Sequence, residues 1–413
     1  MKQTEVTDSI PRKMRWLAPL VVELLLVSVF TVWVSWSYLG GTPSTDLPAG
    51  GDYSISIQGR FFWEHVKECG TCALWNGDLS GGNPALIDTS SDLLHPVVAL
   101  PVLLFGTLEG SRIAVTLTMI MAGFASWWLA YLLGTGWIAR LYAGCLGAAG
   151  GYMTGRLDYG LVVLMTSLAT ASFLLPASVY FSRRLDRRAT ALLGCFLGLT
   201  AISGQAYIQL GVLLLSPAIA LLLVWRGLDT TLVIRRCIQA GAMAICFVAV
   251  LLLPVLHYRK LIDKDFDPYF SRSQPFRYVP LNLVIDQKDY YSSSMFQQPG
   301  YPGWHSNYLG WIAIIFAVFG SVFLLKRCRR EALFLIVVAI GALWLGSGEL
   351  FKWIAGQSAL HFLLDAVVRL RTTSNIANLA APAIIGLSAC GVEAIHRWLK
   401  KIAGLRITVS SPV

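Results

Sequence analysis

Long apolar runs, separated by short polar or basic segments, recur along the whole chain. A helix needs about 20 mainly apolar residues to cross a bilayer, so this pattern predicts a helical protein that crosses the membrane repeatedly. The first run extends from Trp16 to Leu39, and similar runs follow almost to the last residue. The predicted crossings, with ends defined to within several residues, are 16–39, 110–133, 137–153, 157–181, 189–204, 206–225, 237–256, 307–325, 331–346 and 375–398.

These ten runs predict an all-α polytopic membrane protein built as a bundle of ten or eleven transmembrane helices. The eleventh candidate runs from His95 to Gly106, but it is short and contains Pro96 and Pro101. We interpret this run as a re-entrant or surface helix that does not cross. Residues 1–413 are predicted to form one transmembrane domain, with no separate soluble domain.

Basic residues cluster between particular pairs of crossings. Since the cytoplasmic loops of membrane proteins carry an excess of Lys and Arg, we place every cluster and both chain termini in the cytoplasm. This orientation predicts a multi-pass protein of the plasma membrane. The clusters are Lys2, Arg12, Lys13 and Arg15; Arg183, Arg184, Arg187 and Arg188; Arg226, Arg235 and Arg236; Lys326, Arg327, Arg329 and Arg330; and Arg397, Lys400, Lys401 and Arg406.

The same orientation puts three long segments outside, namely a first outer loop at 40–109 and further loops at 257–306 and 347–374. The first outer loop is polar and acidic, although it directly follows an apolar crossing. Its segment 58–67 brings apolar side chains to one helical face, which predicts helical structure lying in the membrane interface. We therefore interpret the first outer loop as the part of the protein that carries the functional site.

Composition agrees with a membrane protein. Of the 413 residues, 55% are hydrophobic and 14% are charged, with a mean hydropathy of +0.61, whereas soluble domains carry about 25% charged residues. The net charge of +10 follows the loops and does not predict a nucleic-acid partner. The chain has no GxxxxGK[ST], GxGxxG or HExxH signature, which argues against an ATP-driven pump or an enzyme with a nucleotide cofactor.

Two of the eight cysteines differ from the others because they form a CxxC motif, Cys69 to Cys72, in the first outer loop. In an oxidising compartment this spacing favours a disulfide. Two free thiols, or half of a metal site, remain as alternatives.

Acidic and basic residues converge on the outer ends of the crossings. Carboxylates can accept a proton from a hydroxyl or bind a divalent cation, and Arg binds phosphate through two parallel hydrogen bonds. This mixture suits group transfer from a phosphate-linked donor, although interfacial anchors and ion pairs would give the same pattern. The residues are Asp52, Asp88, Asp92, His95, Arg156, Asp158, His257, Arg259, Lys260, Lys352, Arg369 and Arg371.

The order of these features resembles a known class of enzymes. A first crossing is followed by Gly51-Asp52-Tyr53, an interfacial helix, His95-Pro96 at the start of a short helix, and Arg112 at the next crossing. This arrangement is similar to that of the GT-C class of membrane glycosyltransferases. The resemblance implies a GT-C-like bundle with interfacial helices in the first outer loop.

Within that class, the branch that matches best looks like the YfhO-like family, although Gln205 stands where the family has His. The resemblance rests on four segments in the same order. They are Leu74–Pro84 for a "WNP…GxP" segment, Gly204–Gln209 for a "GHPQ" turn, Tyr308–Trp311 for a "YxG" opening, and Arg369–Arg371 for an "R.PxR" segment.

The resemblance implies transfer of a sugar, with inversion, from a polyprenyl-phosphate carrier to a glycan, lipid or protein acceptor at the outer face of the bilayer. Asp52 would be the general base, Asp158 a second acid and Arg371 a ligand of the donor phosphate. Both acids are also candidate ligands for a divalent metal, Mg²⁺ or Mn²⁺, but no cofactor is predicted as a requirement. The predicted substrate-binding residues are Asp88, His95, Arg156, Gln205, Arg259, Arg369 and Arg371.

Two other functions fit the same class of protein. A transporter or flippase of lipid-linked or small polar substrates would need polar residues within several crossings and often an internal repeat. Here Glu23 is nearly the only acid deep in a crossing, and no repeat is evident. An inactive GT-C-like subunit of an envelope complex would keep the fold without the chemistry.

Overall fold

The computed structural model describes residues 12–39, 52–77, 82–87, 91–223, 229–258, 274–287, 307–355 and 373–404. These residues form a helical bundle, as the apolar pattern predicts. Its α-helices are α1 (Arg12–Val34), α2 (Trp36–Leu39), α3 (Tyr53–Gln58), α4 (Phe62–Cys69), α5 (Pro96–Phe105), α6 (Thr107–Leu132), α7 (Trp137–Ala149), α8 (Gly151–Asp158), α9 (Val162–Ser172), α10 (Leu174–Arg184), α11 (Arg187–Ala201), α12 (Ala206–Leu215), α13 (Ala220–Leu223), α14 (Thr230–Tyr258), α15 (Trp311–Arg327), α16 (Arg329–Gly346), α17 (Glu349–Ala355) and α18 (Ala380–Ile402).

Five described helical segments are long and apolar enough to cross a membrane. They are Thr107–Leu132, Val162–Arg184, Ala206–Leu223, Thr230–Tyr258 and Thr373–Ile402. Each overlaps one predicted crossing. The other predicted crossings also fall on helices, but by length and composition these do not qualify, so the count of ten stays a prediction.

Two glycines divide apolar runs that we expected to be continuous. The predicted crossing 137–153 contains a break at Gly150, where α7 ends and α8 begins. The predicted crossing 157–181 starts later than expected, because Gly160 adopts a φ of +77° in the turn before α9. Only glycine enters that backbone region without strain, so the turn ends one helix and starts the next.

The α9 helix lies at the centre of the bundle, and all eleven of its residues are buried. By contrast, α14 is mostly exposed along its length and presents large apolar side chains, as a lipid-facing helix should. The α15 and α18 helices approach closely through Gly320 and Gly391. A side chain at either glycine would collide with a backbone carbonyl of the other helix.

One end of the bundle, which we call the basic end, surrounds the turn between α6 and α7. The backbone oxygen of Leu132 accepts a hydrogen bond from Arg183 (2.6 Å), and that of Gly134 accepts one from Arg327 (3.2 Å). Glu393 of α18 binds the Gly136 N–H at 2.8 Å and also pairs with Arg397. Residues of three predicted cytoplasmic clusters therefore meet at one end. Glu23 also lies here, paired with Arg140 and bonded to Trp127.

The first outer loop is helical where it is described, but it also contains a small β-ladder. Helical structure starts at Tyr53, earlier than the predicted 58–67, and continues through a 3-10 turn (Gly59–Phe61) into α4. Trp75–Asn76 (β1) pairs antiparallel with Asn83–Pro84 (β2), a two-residue ladder in an otherwise helical structure that agrees with the predicted all-α class. At Gly82, with a φ of +102°, any side chain would collide with the Trp75 indole.

The other two outer loops also contain short helices where they are described. In 257–306 the apolar helix α14 extends to Tyr258, and a 3-10 helix spans Phe276–Leu283. Its Leu283 oxygen accepts hydrogen bonds from the N–H groups of Leu309 and Gly310, which ties this loop to the start of α15. In 347–374, α17 follows directly after α16.

Candidate active site

Asp52 lies at the start of α3, where its side chain is half-buried. Its backbone N–H donates to the Tyr159 oxygen at 3.4 Å, and the Ser56 hydroxyl donates to the Gly160 oxygen at 2.9 Å. A side chain at Gly160 would collide with the backbone of Tyr53. The start of α3 is therefore packed directly against the turn between α8 and α9. Burial raises the pKa of the Asp52 carboxyl above its usual 3.8, which makes the carboxylate a stronger proton acceptor.

That contact brings together the segments that bear the two acids the resemblance singled out. Asp158 is the last residue of α8, directly before Tyr159, and it is exposed. It lies at the end of the Val162–Arg184 helical segment opposite Arg183, so these acids lie away from the basic end. The two segments therefore supply a partly desolvated carboxylate, which can accept a proton, and an exposed one in contact with solvent.

Arg156 belongs to the same helix as Asp158 but points into the protein interior. It is fully buried, and its Nη2 donates to the amide oxygens of Asn307 (3.2 Å) and Asn378 (3.3 Å). Asn378 in turn donates to the Asn375 backbone oxygen. Arg156 therefore joins α8 to the segments that precede α15 and α18.

An ion pair that the sequence pattern did not single out lies next to α9. Arg60 Nε donates to Asp92 Oδ1 at 3.0 Å, and Arg60 Nη2 donates to Asp92 Oδ2 at 2.8 Å. Both side chains are buried, with 1% and 0% of their surface exposed. Thr166 of α9 also donates to Asp92 Oδ2, at 2.8 Å. The pair thus joins the first outer loop to the central helix.

His95 lies one turn after Asp92 and is also buried against α9. Its Nε2 is 3.1 Å from the Thr170 hydroxyl, which donates its only proton to the Thr166 backbone oxygen at 2.7 Å. We therefore assign His95 as the donor in this contact. Burial lowers the pKa of His95 to about 4, and Arg60 acts in the same direction while Asp92 opposes it.

Gln205 precedes α12 in a turn that packs on the same part of the first outer loop. Gly204 has a φ of +84°, and a side chain there would collide with the Ser91 backbone. The Ser203 oxygen accepts a hydrogen bond from Ser167 of α9 at 2.8 Å. The structure therefore gathers the Gly204–Gln205 turn, the segment 91–95 and α9 in one place.

Four of the predicted site residues, Asp88, Arg259, Arg369 and Arg371, lie outside the described residues, and their roles stay predictions. Among the residues that are described, no three His, Cys, Asp or Glu side chains lie together in a group that could hold a metal ion. Asp52 and Asp158 alone do not supply a complete ligand set for Mg²⁺ or Mn²⁺.

Cys69 and Cys72 are joined as a disulfide, with their Cα atoms 5.7 Å apart. Cys69 is the last residue of α4, and Gly70 leaves the helix with a φ of +67°. Both cysteines are exposed. The bond closes a tight ring at the end of the helical segment that begins beside Asp52.

Comparison with protein-family models found no match, and comparison with curated proteins found none. Among solved structures, the chain is similar to the oligosaccharyltransferase of Archaeoglobus fulgidus in its apo form, with a TM-score of 0.52 and 11% sequence identity. The alignment covers 94% of this chain and 52% of that enzyme, so the chain spans about half the length of the enzyme it matches. The likeness shows a shared fold and does not identify the YfhO-like family.

Proposed function

We propose that this chain is an integral membrane glycosyltransferase of the GT-C type. It would move a sugar from a polyprenyl-phosphate donor to a glycan, lipid or protein acceptor. The observation that carries the proposal is the contact between the start of α3 and the Tyr159–Gly160 turn, which brings together the segments bearing Asp52 and Asp158. The fold shared with an oligosaccharyltransferase supports the same class of enzyme.

In the proposed reaction, an acceptor hydroxyl attacks the anomeric carbon of the donor sugar, and Asp52 takes the hydroxyl proton. The new bond forms between the acceptor oxygen and the anomeric carbon. The bond from that carbon to the phosphate oxygen breaks, and its electron pair leaves with the carrier phosphate. Attack from the face opposite the phosphate inverts the anomeric centre. The raised pKa of Asp52 favours its use as the general base.

The leaving phosphate needs a cationic partner, and we propose Arg371 for this role. Arg offers a planar fork that matches phosphate oxygens and stabilises the charge that develops on the carrier. We propose Arg369, Arg259 and Asp88 as further substrate contacts. They share the predicted outer location with Arg371.

Gln205 and His95 lie deeper, around α9, and we propose that they shape the site next to Asp92. The bonds of Arg156 to Asn307 and Asn378 favour a role in holding α8, and thereby Asp158, in position. A divalent metal would supply charge neutralisation at the phosphate if one is bound. The described residues do not provide its ligand set, so we derive no step through it.

We further propose that the acids face the outside of the plasma membrane and that both termini are cytoplasmic, with ten crossings. The convergence of Arg183, Arg327 and Arg397 around one turn supports this orientation, since basic residues favour the cytoplasmic side. The helix α5 has ten residues and is therefore about 15 Å long. It is too short to cross the roughly 30 Å hydrocarbon core alone, which supports the prediction that 95–106 does not cross.

The decisive experiment is incubation of the purified protein with a panel of polyprenyl-phosphate sugars and candidate acceptors, with Mg²⁺, with Mn²⁺ and with a chelator. We expect transfer or hydrolysis of at least one donor, and loss of that activity in Asp52→Asn. A folded protein that uses no donor under any of the metal conditions would contradict the proposal and favour an inactive relative.

A further inference from the structure

The segment that carries Asp52 is helical almost without interruption from Tyr53 to Cys69, through α3, the turn Gly59–Phe61 and α4. A helical segment of this kind moves as a unit, because its backbone hydrogen bonds hold each turn to the next. Whatever fixes the middle of the segment therefore also fixes its first residue. The proposed general base, Asp52, directly precedes that first residue.

Between Asp52 and Phe61, two anchors hold this segment against the same part of the bundle. The α4 part makes its own bonds, from Trp63 Nε1 to the Leu93 oxygen (2.7 Å) and from the Thr107 N–H to Glu64 Oε1 (2.7 Å). The first anchor is at the start of the segment, where Asp52 and Ser56 bond to the backbone oxygens of Tyr159 and Gly160. The second is the bidentate pair of Arg60 with Asp92, which is itself bonded to Thr166. Tyr159 to Thr166 is one continuous piece of chain, the turn before α9 and the first turns of α9. Both anchors therefore hold the segment against one continuous element, the turn before α9 and the start of α9.

The hydrogen bonds of the first anchor do not by themselves fix the direction of the segment. They are one hydroxyl bond at 2.9 Å and a longer backbone bond at 3.4 Å, both within a few residues. The second anchor restricts that direction, because a guanidinium that binds a carboxylate through two parallel bonds fixes direction as well as distance. Burial of both Arg60 and Asp92 keeps water from competing for these bonds.

We propose that Arg60 and Asp92 are positioning residues that orient Asp52 toward the acceptor hydroxyl. This inference rests on the proposed role of Asp52 as the base. Arg60 lies eight positions after Asp52, which corresponds to about 12–16 Å along the helix axis. Neither Arg60 nor Asp92 is exposed. The pair therefore acts through the backbone and does not touch the substrate.

The test uses variants that separate folding from positioning. Removing one partner leaves a buried charge, whereas Arg60→Met together with Asp92→Leu removes both charges and is compatible with normal stability. In addition, Arg60→Lys keeps the positive charge but cannot form the two parallel hydrogen bonds of the guanidinium to Asp92. The matched control is Glu23→Leu with Arg140→Met, because it removes another largely buried ion pair, at the basic end.

We expect the Arg60→Met, Asp92→Leu double variant to fold with a near-normal melting temperature but to lose about 10²-fold in kcat, as small misplacements of a reacting group do. KM for the donor should change by less than about threefold, because the double variant alters no contact that binds the donor in the ground state. Arg60→Lys should lose about tenfold, between wild type and the double variant. The control should keep the wild-type kcat.

Amide hydrogen exchange provides a readout that does not depend on activity. Positioning predicts faster exchange at residues 53–58 in the double variant and in Arg60→Lys, with unchanged exchange in α15. Wild-type kcat and wild-type exchange in the folded double variant, or in Arg60→Lys if the double variant does not fold, would overturn the proposal. If the wild-type protein uses no donor, the proposed function fails separately, and the exchange at 53–58 alone decides whether the pair fixes the segment.

Discussion

Replacing Asp52 with Asn tests the proposed chemistry with little change to the structure. The Asp52 side chain makes no capping hydrogen bond to α3, so an amide of the same shape removes no contact that holds the helix. We expect the stability of Asp52→Asn to stay within about 0.5 kcal/mol of wild type, as for surface substitutions that remove no structural contact.

The rate, by contrast, should fall strongly. Loss of a positioned general base costs about 10²–10⁴-fold, which corresponds to roughly 2.7–5.4 kcal/mol of transition-state stabilisation at about 1.36 kcal/mol per tenfold change. The assay is single-turnover transfer of a labelled sugar from the donor that the panel identifies. Asp286→Asn is the matched control, because Asp286 is an exposed acid in another outer loop.

The pH dependence supplies a second check on the same residue. The carboxylate form is the active base, so kcat/KM of the wild type should rise with pH through a midpoint above 3.8, in the direction of the raised pKa. Because the folded-state pKa is raised, the carboxyl contributes stability below pH 3.8 that is lost as pH rises through the folded-state value. Turnover in Asp52→Asn within about threefold of wild type would refute the assignment of Asp52 as the base. If Asp158→Asn were then inactive, the base would be Asp158.

Four other outcomes follow from the structure and the sequence. Arg371→Lys should weaken donor binding and turnover, and Arg371→Ala should weaken both further; unchanged donor affinity and rate in folded Arg371→Ala would leave only an anchoring role. Mass spectrometry of protein purified without reductant should find Cys69 and Cys72 oxidised, and two free thiols would contradict this expectation. His95 should make the protein less stable as pH falls from 6.5 toward its lowered pKa of about 4, by on the order of 3 kcal/mol, since the unfolded state binds the proton first; melting curves that are the same for wild type and His95→Gln between pH 7 and 4.5 would argue against it. A cysteine at exposed Gly77, where an added side chain meets no atom within 4 Å, should react with an impermeant reagent from outside the cell. Labelling only from the cytoplasm would show that the chain has the opposite orientation.

The positions of the helices could be predicted where contact with lipid requires a continuous run of apolar residues. A helix such as α14 is apolar and mostly exposed over its length, as expected for a helix in contact with lipid, so its apolar run alone marks its position. The breaks at Gly150 and Gly160 were not predictable in the same way, because glycine is common inside membrane helices. What distinguishes Gly160 is its contact with the backbone of Tyr53, which lies more than a hundred residues earlier in the chain.

The site was predictable in part. Asp52 and Asp158 were selected among the outer acids by the resemblance to GT-C enzymes, and the structure brings their segments together. Arg60 does not stand out, since it reads as an ordinary charge in a polar loop, and Asp92 stands out only as one of several outer acids. Only the folded chain shows that both are buried and that one binds the other.

A sequence signal for this buried network does exist, although it lies in α9 and not in the loop. Thr166 and Thr170 are four residues apart, so their hydroxyls lie on one helical face, and that face bonds Asp92 and His95. Ser167, beside them, bonds the Ser203 oxygen of the turn before α12. Hydroxyls within an apolar helix usually bond to their own backbone. Thr170 does so here, whereas Thr166 lies closer to Asp92 (2.8 Å) than to the Val162 oxygen (3.2 Å) and gives its proton to Asp92. A fully buried helix with hydroxyls at this spacing therefore indicates polar loop residues packed against it, and the first outer loop is the acidic segment that meets this requirement.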